Sequence, residues 1–138
     1  MAVAIAKDIN VIFYYEDYTN VDDINKAIQS LRETELIGGT KIGGCMDLVY
    51  SKKRPNDLIT VLLVVTDGNP LEDTVEIDEI SVKMRENGFF IQTAGFGDVN
   101  YKTLEIITGN IETIIHNKDV SELEKQSEIL TKTICNCF

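Results

Sequence analysis

The sequence predicts an α/β fold, a mostly parallel sheet flanked by helices on both faces. Three observations carry this. Leu58 to Thr66 reads Leu-Ile-Thr-Val-Leu-Leu-Val-Val-Thr, with almost no polar alternation, the pattern of a strand covered on both sides. Segments of strand character alternate along the chain with segments of helical period. Two of the strands stop at turn signals, Asp67-Gly68-Asn69-Pro70 and Gly95-Phe96-Gly97.

The elements follow in order. Ala2 to Ala6 is a short apolar run suited to a buried strand, and Ile9 to Tyr15 is rich in β-branched and aromatic residues. The two are predicted to form a hairpin around Lys7-Asp8. Asp22 and Asp23 open a helix whose apolar stripe is Ile24, Ile28 and Leu31, the acids suiting its positive end. Gly38-Gly39 interrupts the chain, and Thr40 is placed to cap a second helix carrying Ile42, Cys45, Met46 and Val49. Lys52-Lys53-Arg54 reads as a solvated helix end, and Pro55-Asn56-Asp57 as a turn before the Leu58–Thr66 strand, which is expected to be innermost. A helix with Ile77, Ile80 and Met84 inward ends at Asn87-Gly88, and Phe89 to Ala94 is the next strand. Tyr101 to Thr108 reads as a short helix and Ile111 to His116 as a last strand. Ser121 and Glu124 fit a capping box before a final helix with Leu123, Ser127, Leu130 and Ile134 on one face.

Composition bounds the function. The chain has 138 residues, 43% of them hydrophobic and 26% charged, with 2 prolines, which fits one globular domain over 1–138 and not a disordered chain. Its apolar runs, such as Val61 to Val65, are far short of the roughly 20 residues of a membrane-spanning helix. The net charge of −10 opposes nucleic acid and anionic lipid and is compatible with a cation or a basic partner. No basic lead precedes the short apolar start, so no secretory leader is read there. The cysteines, Cys45, Cys135 and Cys137, contain no Cys-x-x-Cys pair, and the single His116 leaves little for zinc. Cys45 lies on an apolar helix face and reads as a small buried hydrophobe; His116 reads as surface. Cys135 and Cys137 are either free thiols in a reducing compartment or joined to partners outside this chain. No nucleophile–base pair or phosphate loop is recognisable, and no enzyme activity is expected.

Several motifs now stand in series: Gly38-Gly39-Thr40-x-x-Gly43, Leu63-Val64-Val65-Thr66-Asp67-Gly68, and Gly88-Phe-Phe-Ile-Gln-Thr-Ala-Gly-Phe-Gly97. With Val11-Ile-Phe at the start and Val120-Ser-Glu-Leu123 to Ile134-Cys135 at the end, the series resembles the von Willebrand factor A (VWA) domain over nearly the whole chain. The resemblance implies a Rossmann-like fold. It also implies that Thr40 and Asp67 occupy two positions of a metal-ion-dependent adhesion site for Mg²⁺ or Mn²⁺. The family's Asp-x-Ser-x-Ser motif, on its first strand, is not found. The nearest segment, Asp17-Tyr18-Thr19-Asn20-Val21, is too close to Gly39 to hold that place. The fold is therefore read as incomplete at the N-terminus, beginning at the family's second strand.

With two family ligands instead of five, no divalent ion is expected to be held by this chain alone, since Mg²⁺ wants about six oxygens in near-octahedral array. Asp73 is read as favouring the N-terminus of the helix that follows it. The resemblance implies a protein-binding module of adhesion or extracellular-matrix type, engaging a matrix protein, collagen or receptor at the carboxyl end of the sheet. The C-terminal cysteines agree with a secreted setting. The alternative is a metal-independent intracellular scaffold in the cytoplasm. A sheet lacking its central strand exposes strand edges, so either Met1–Ala6 pairs directly with Leu58–Thr66 or the chain self-associates.

Overall fold

The structure, a computed structural model, describes residues 1–5, 9–14, 16–30, 40–53, 60–70 and 73–117. These fall into two compact units, one comprising Met1–Lys52 with Pro70–Glu76, the other Lys53–Asn69 with Ile77 onward. The final helix predicted over 121–134, together with Cys135 and Cys137, lies outside the described residues.

In the first unit β1 (Ala2–Ile5) and β2 (Ile9–Phe13) pair antiparallel, as the predicted hairpin requires, with a register irregularity between Ala2 and Val3. Helix α1 (Val21–Gln29) starts at Asn20, whose side chain accepts from the Asp23 amide, and carries Asp22 and Asp23 in its first turn. Helix α2 (Ile42–Ser51) buries Ile42, Cys45, Met46 and Val49, the four apolar positions its periodicity marks.

The second unit is a three-stranded parallel sheet in the order β3 (Thr60–Val65), β4 (Phe89–Phe96), β5 (Ile114–Asn117). Thr60 pairs with Phe89 and Val65 with Ala94; Thr93 pairs with Ile114 and Phe96 with Asn117. Helices α3 (Ile77–Glu86) and α4 (Tyr101–Thr108) pack on β4 and on each other. Ile80, Met84, Leu104 and Ile107 supply the buried helix side of this core. The parallel order follows from the connections: each strand reaches the next through a helix, which returns the chain in the same direction.

One expectation is corrected here. The innermost strand is β4, not the Leu58–Thr66 segment. Both faces of β4 are buried, through Phe89, Ile91 and Thr93 on one side and Gln92 and Ala94 on the other. Among the described residues of the second unit β3 is at the end of the sheet, and its Leu63 and Val65 are 40% and 56% exposed. An apolar run reports affinity for a sheet, whereas position in the sheet is set by which strand has hydrogen-bonded neighbours on both sides. Within each unit, β1 takes its partner from the adjoining hairpin strand, and β3 takes β4. A smaller difference concerns the last strand, where Ile111–Thr113 forms a 3₁₀ turn and the strand begins at Ile114. Asn110 explains it, since its side chain accepts from the Glu112 amide and turns the chain before it extends.

Candidate functional site

In the second unit, the carboxyl ends of β3 and β4 carry two loops, 66–69 and 97–100, that are hydrogen-bonded to each other. The Asn100 amide donates to the Asp67 carbonyl at 2.9 Å, and Asn69 Nδ2 donates to the Asp98 carbonyl at 3.3 Å. Gly68 has φ +75° and packs so closely under α4 that an added Cβ would lie 2.9 Å from the Asn100 carbonyl oxygen. Thr66 Oγ1 accepts from the Gly68 amide and Asp67 Oδ1 from the Asn69 amide, which fixes the turn locally. Asn100 also caps α4, accepting from the Thr103 amide. The result is a rigid rim on which Asp67, Asp98 and Tyr101 are exposed.

His116, read from sequence as surface, is half-buried and held at this rim. One ring nitrogen, Nδ1, pairs with the Tyr101 hydroxyl, and Nε2 lies 3.1 Å from the Gly97 carbonyl. Because a carbonyl only accepts, Nε2 donates in the second contact. The two rings meet edge-on at 5.1 Å. Nothing in the sequence flags this pair, because Tyr101 and His116 meet only through the register of β5 on β4.

In the first unit, Thr40 does not cap α2. The N-cap is Lys41, which makes no side-chain capping bond, and Thr40 forms an isolated parallel bridge with Pro70. The cap comes from elsewhere in the chain. Asp73 Oδ2 accepts from the Gly44 amide at 2.8 Å, while its Oδ1 accepts weakly from Val75 at 3.4 Å. Asp73 therefore serves the helix before it, not the one after it as its position in sequence implied. The reason is spatial: the two glycines of Ile42-Gly43-Gly44 leave the helix N-terminus bare enough for the 73–75 backbone to lie against it. Cys45, buried as expected, has its thiol pushed up to about 11 by burial and secondarily by the Asp73 carboxylate. It is held as a neutral, unreactive thiol.

The divalent ion implied for Thr40 and Asp67 can be tested against these residues. Asp67 offers one carboxylate, with Oδ1 already accepting a backbone amide. Among the described residues, no three His, Cys, Asp or Glu side chains converge as a metal site. Asp73 has both oxygens engaged by backbone amides. A carboxylate and a hydroxyl supply too few of the roughly six hard oxygens such an ion takes, so these residues do not fit a resident ion.

A parallel sheet with helices packed on it and a rim of loops at the strand carboxyl ends defines a Rossmann-like α/β binding fold. The profile of the von Willebrand factor type A domain matches residues 2–129, and the chain belongs to that family. It is similar to the human collagen alpha-5(VI) chain, 27% identical over 139 residues that cover 96% of this chain and 5% of that one. It thus spans about one-twentieth of that relative's length. Among solved structures it resembles proximal thread matrix protein 1 from the mussel byssus, with a TM-score of 0.82 and 23% identity over 96% of this chain and 34% of that one. It also resembles the manganese-loaded TRAP protein of Plasmodium vivax, with a TM-score of 0.67 and 15% identity over 83% of this chain and 50% of that one. At these identities the two structures establish the fold. Among the described residues no helix is long and apolar enough to cross a membrane.

Proposed function

We propose that residues 1–138 act as a non-enzymatic protein-binding module of adhesion or matrix type, engaging a protein ligand at the carboxyl end of the parallel sheet. One observation carries this reading: the 66–69 and 97–100 loops are cross-bonded into a preorganised rim presenting Asp67, Asp98 and Tyr101. Preorganised loops bind with less ordering cost than mobile ones. Membership of the family and similarity to a collagen VI chain favour a matrix protein, collagen or receptor as ligand, and a secreted setting. Thr40 and Asp67 are assigned as the family's metal positions, incomplete here, with Mg²⁺ or Mn²⁺ bound only if further ligands are supplied. Cys135 and Cys137 are assigned disulfide partners outside residues 1–138.

The test is surface binding of the full chain to immobilised collagens and matrix glycoproteins, with Mn²⁺ and with a chelator. The expected result is binding that survives the chelator and falls at least tenfold in Asp98→Ala and Tyr101→Ala. Binding unaffected by rim substitutions would overturn the assignment of the surface. Failure to bind any extracellular protein, with capture of a cytoplasmic complex instead, would favour the intracellular scaffold.

A further inference from the structure

We propose that His116 is a positioning residue for ligand binding: through the Tyr101 hydroxyl it holds the Tyr101 ring in the one rotamer that meets the ligand. The role rests on the reading of the 66–69 and 97–100 rim as the ligand surface. Every contact it uses lies within the second unit.

The backbone brings the two residues together. His116 is paired in register with Gly95, and register partners share a face of the sheet. That face is the one α4 covers, because Leu104 packs directly over Gly95. A Cβ at Gly95 would lie 2.9 Å from both Leu104 Cδ1 and Val99 Cγ1, so the bare glycine lets α4 and the 97–100 loop settle onto β4. Tyr101 stands three residues before Leu104 on the same side of α4, and its side chain meets His116 on the adjoining strand. Asn100 fixes this first turn of the helix: its side chain accepts from the Thr103 amide, and its own amide donates to the Asp67 carbonyl. These contacts set the Tyr101 backbone and leave its two side-chain torsions open.

His116 closes them. The Tyr101 side chain is 49% exposed, and a ring that open to water samples several rotamers unless something holds it. Among the described residues its hydroxyl has one partner, His116 Nδ1, and the two rings meet edge-on at 83°. The imidazole is gripped at its other nitrogen too, where Nε2 donates to the Gly97 carbonyl. Two grips make it a fixed post and not a second loose side chain. A ring already ordered in the free protein binds without the loss of rotamer freedom that a loose one suffers. Releasing it should weaken binding by about three- to tenfold.

The experiment separates the two grips. In reach, the amide of Asn matches Nδ1 of histidine and the amide of Gln matches Nε2. A phenol both donates and accepts, so either end of the Asn amide serves it. His116→Asn therefore keeps Tyr101 and gives up Gly97, and His116→Gln keeps Gly97 and releases Tyr101. Tyr101→Phe releases the ring from the other side and leaves His116 on Gly97. Full chains are compared by relaxation of carbon-labelled tyrosine rings and by surface binding to immobilised collagens and matrix glycoproteins. The Tyr101 ring should be ordered in the parent and in His116→Asn, and mobile in His116→Gln. Affinity should stay within about twofold of the parent in His116→Asn and fall about three- to tenfold in His116→Gln and in Tyr101→Phe, with the double variant no weaker than either. A purely structural staple on Gly97 would give the reverse order, Gln retaining affinity and Asn losing it, and would overturn the proposal. A Tyr101 ring equally ordered in all three proteins would overturn it as well. So would full affinity in His116→Gln and Tyr101→Phe while Tyr101→Ala loses it, a result that leaves the rim as the ligand surface. If Tyr101→Ala binds as the parent does, or the parent binds no member of the panel, the reading of the rim falls and takes the role of His116 with it.

Discussion

Gly43→Ala sets two effects of known sign against each other. Gly43 is in the first turn of α2, where replacing Gly by Ala gains up to about 1 kcal/mol in helix propensity. An added Cβ at Gly43 would, however, lie 2.1 Å from the Val75 carbonyl oxygen and 3.0 Å from its carbon, both backbone atoms. Since ordinary contact begins near 3.4 Å, the 73–75 strand of chain must retreat by about 1 Å, a strain of the overpacking kind worth roughly 1–3 kcal/mol. That movement also pulls Asp73 from the Gly44 amide, 2.8 Å away, and losing a helix cap costs about 1 kcal/mol. The clash wins, with a net loss of about 1–3 kcal/mol. Urea unfolding of the full chain, at a slope of roughly 1–3 kcal/mol per molar, should show a midpoint lowered by about 1 M. Gly44→Ala is the internal comparison. There the nearest atoms are Ile9 Cδ1 at 3.1 Å and Asp73 Oδ1 at 3.2 Å, side-chain ends that can move. It should change stability by less than half as much. A Gly43→Ala protein as stable as the parent would refute the close approach of residue 75 to the helix.

Other outcomes follow from single contacts. Arg85 Nη1 donates to the carbonyls of Ile106 and Ile107 at 3.0 and 2.7 Å, closing the C-terminus of α4, so Arg85→Ala should lose about 1–3 kcal/mol by thermal unfolding while Arg85→Lys recovers part of it. Thr93 Oγ1 is buried with no hydrogen-bond partner among the described residues, so Thr93→Val should be neutral or stabilising by about 1 kcal/mol; a loss above that would reveal a hidden partner. The Cys45 thiol, raised from 9.0 to about 11, binds its proton more tightly folded than unfolded. Stability contributed this way is intact below pH 9 and declines by about 3 kcal/mol as pH rises from 9 to 11. Cys45→Ala should flatten that decline in alkaline unfolding curves. Light scattering should detect self-association through the exposed Leu63 and Val65 side chains of β3, abolished by Leu63→Lys; an unchanged size in the variant would place any association elsewhere.

Much of the fold was legible in the chain because local chemistry and tertiary context agree there. Tyr101–Thr108 is a helix in both readings, since Asn100 and Gly109 are a cap and a left-handed stop whatever packs against them. Ile80 and Met84, spaced by one turn, point into the core they predict. The motif series from Gly38 to Gly97 was enough to place the chain in its family, and the fold follows from that membership.

What the sequence determined by itself were features set within a turn or two of chain: element type and the buried stripes of α2 and α3. Tertiary structure decided the rest. Asp73 follows a turn in sequence and reads as the start of the next helix, yet it closes the start of α2, twenty-nine residues earlier, because two glycines there admit its backbone. Val61 to Val65 is the most apolar run, but β4 became the central strand, because a strand's rank depends on how many neighbours bond its two edges. His116 and Tyr101 meet through strand register, a quantity that no local pattern encodes. Periodicity reports which side of an element prefers to leave water; which partner receives it depends on chain path, and that is fixed only when distant segments pack together.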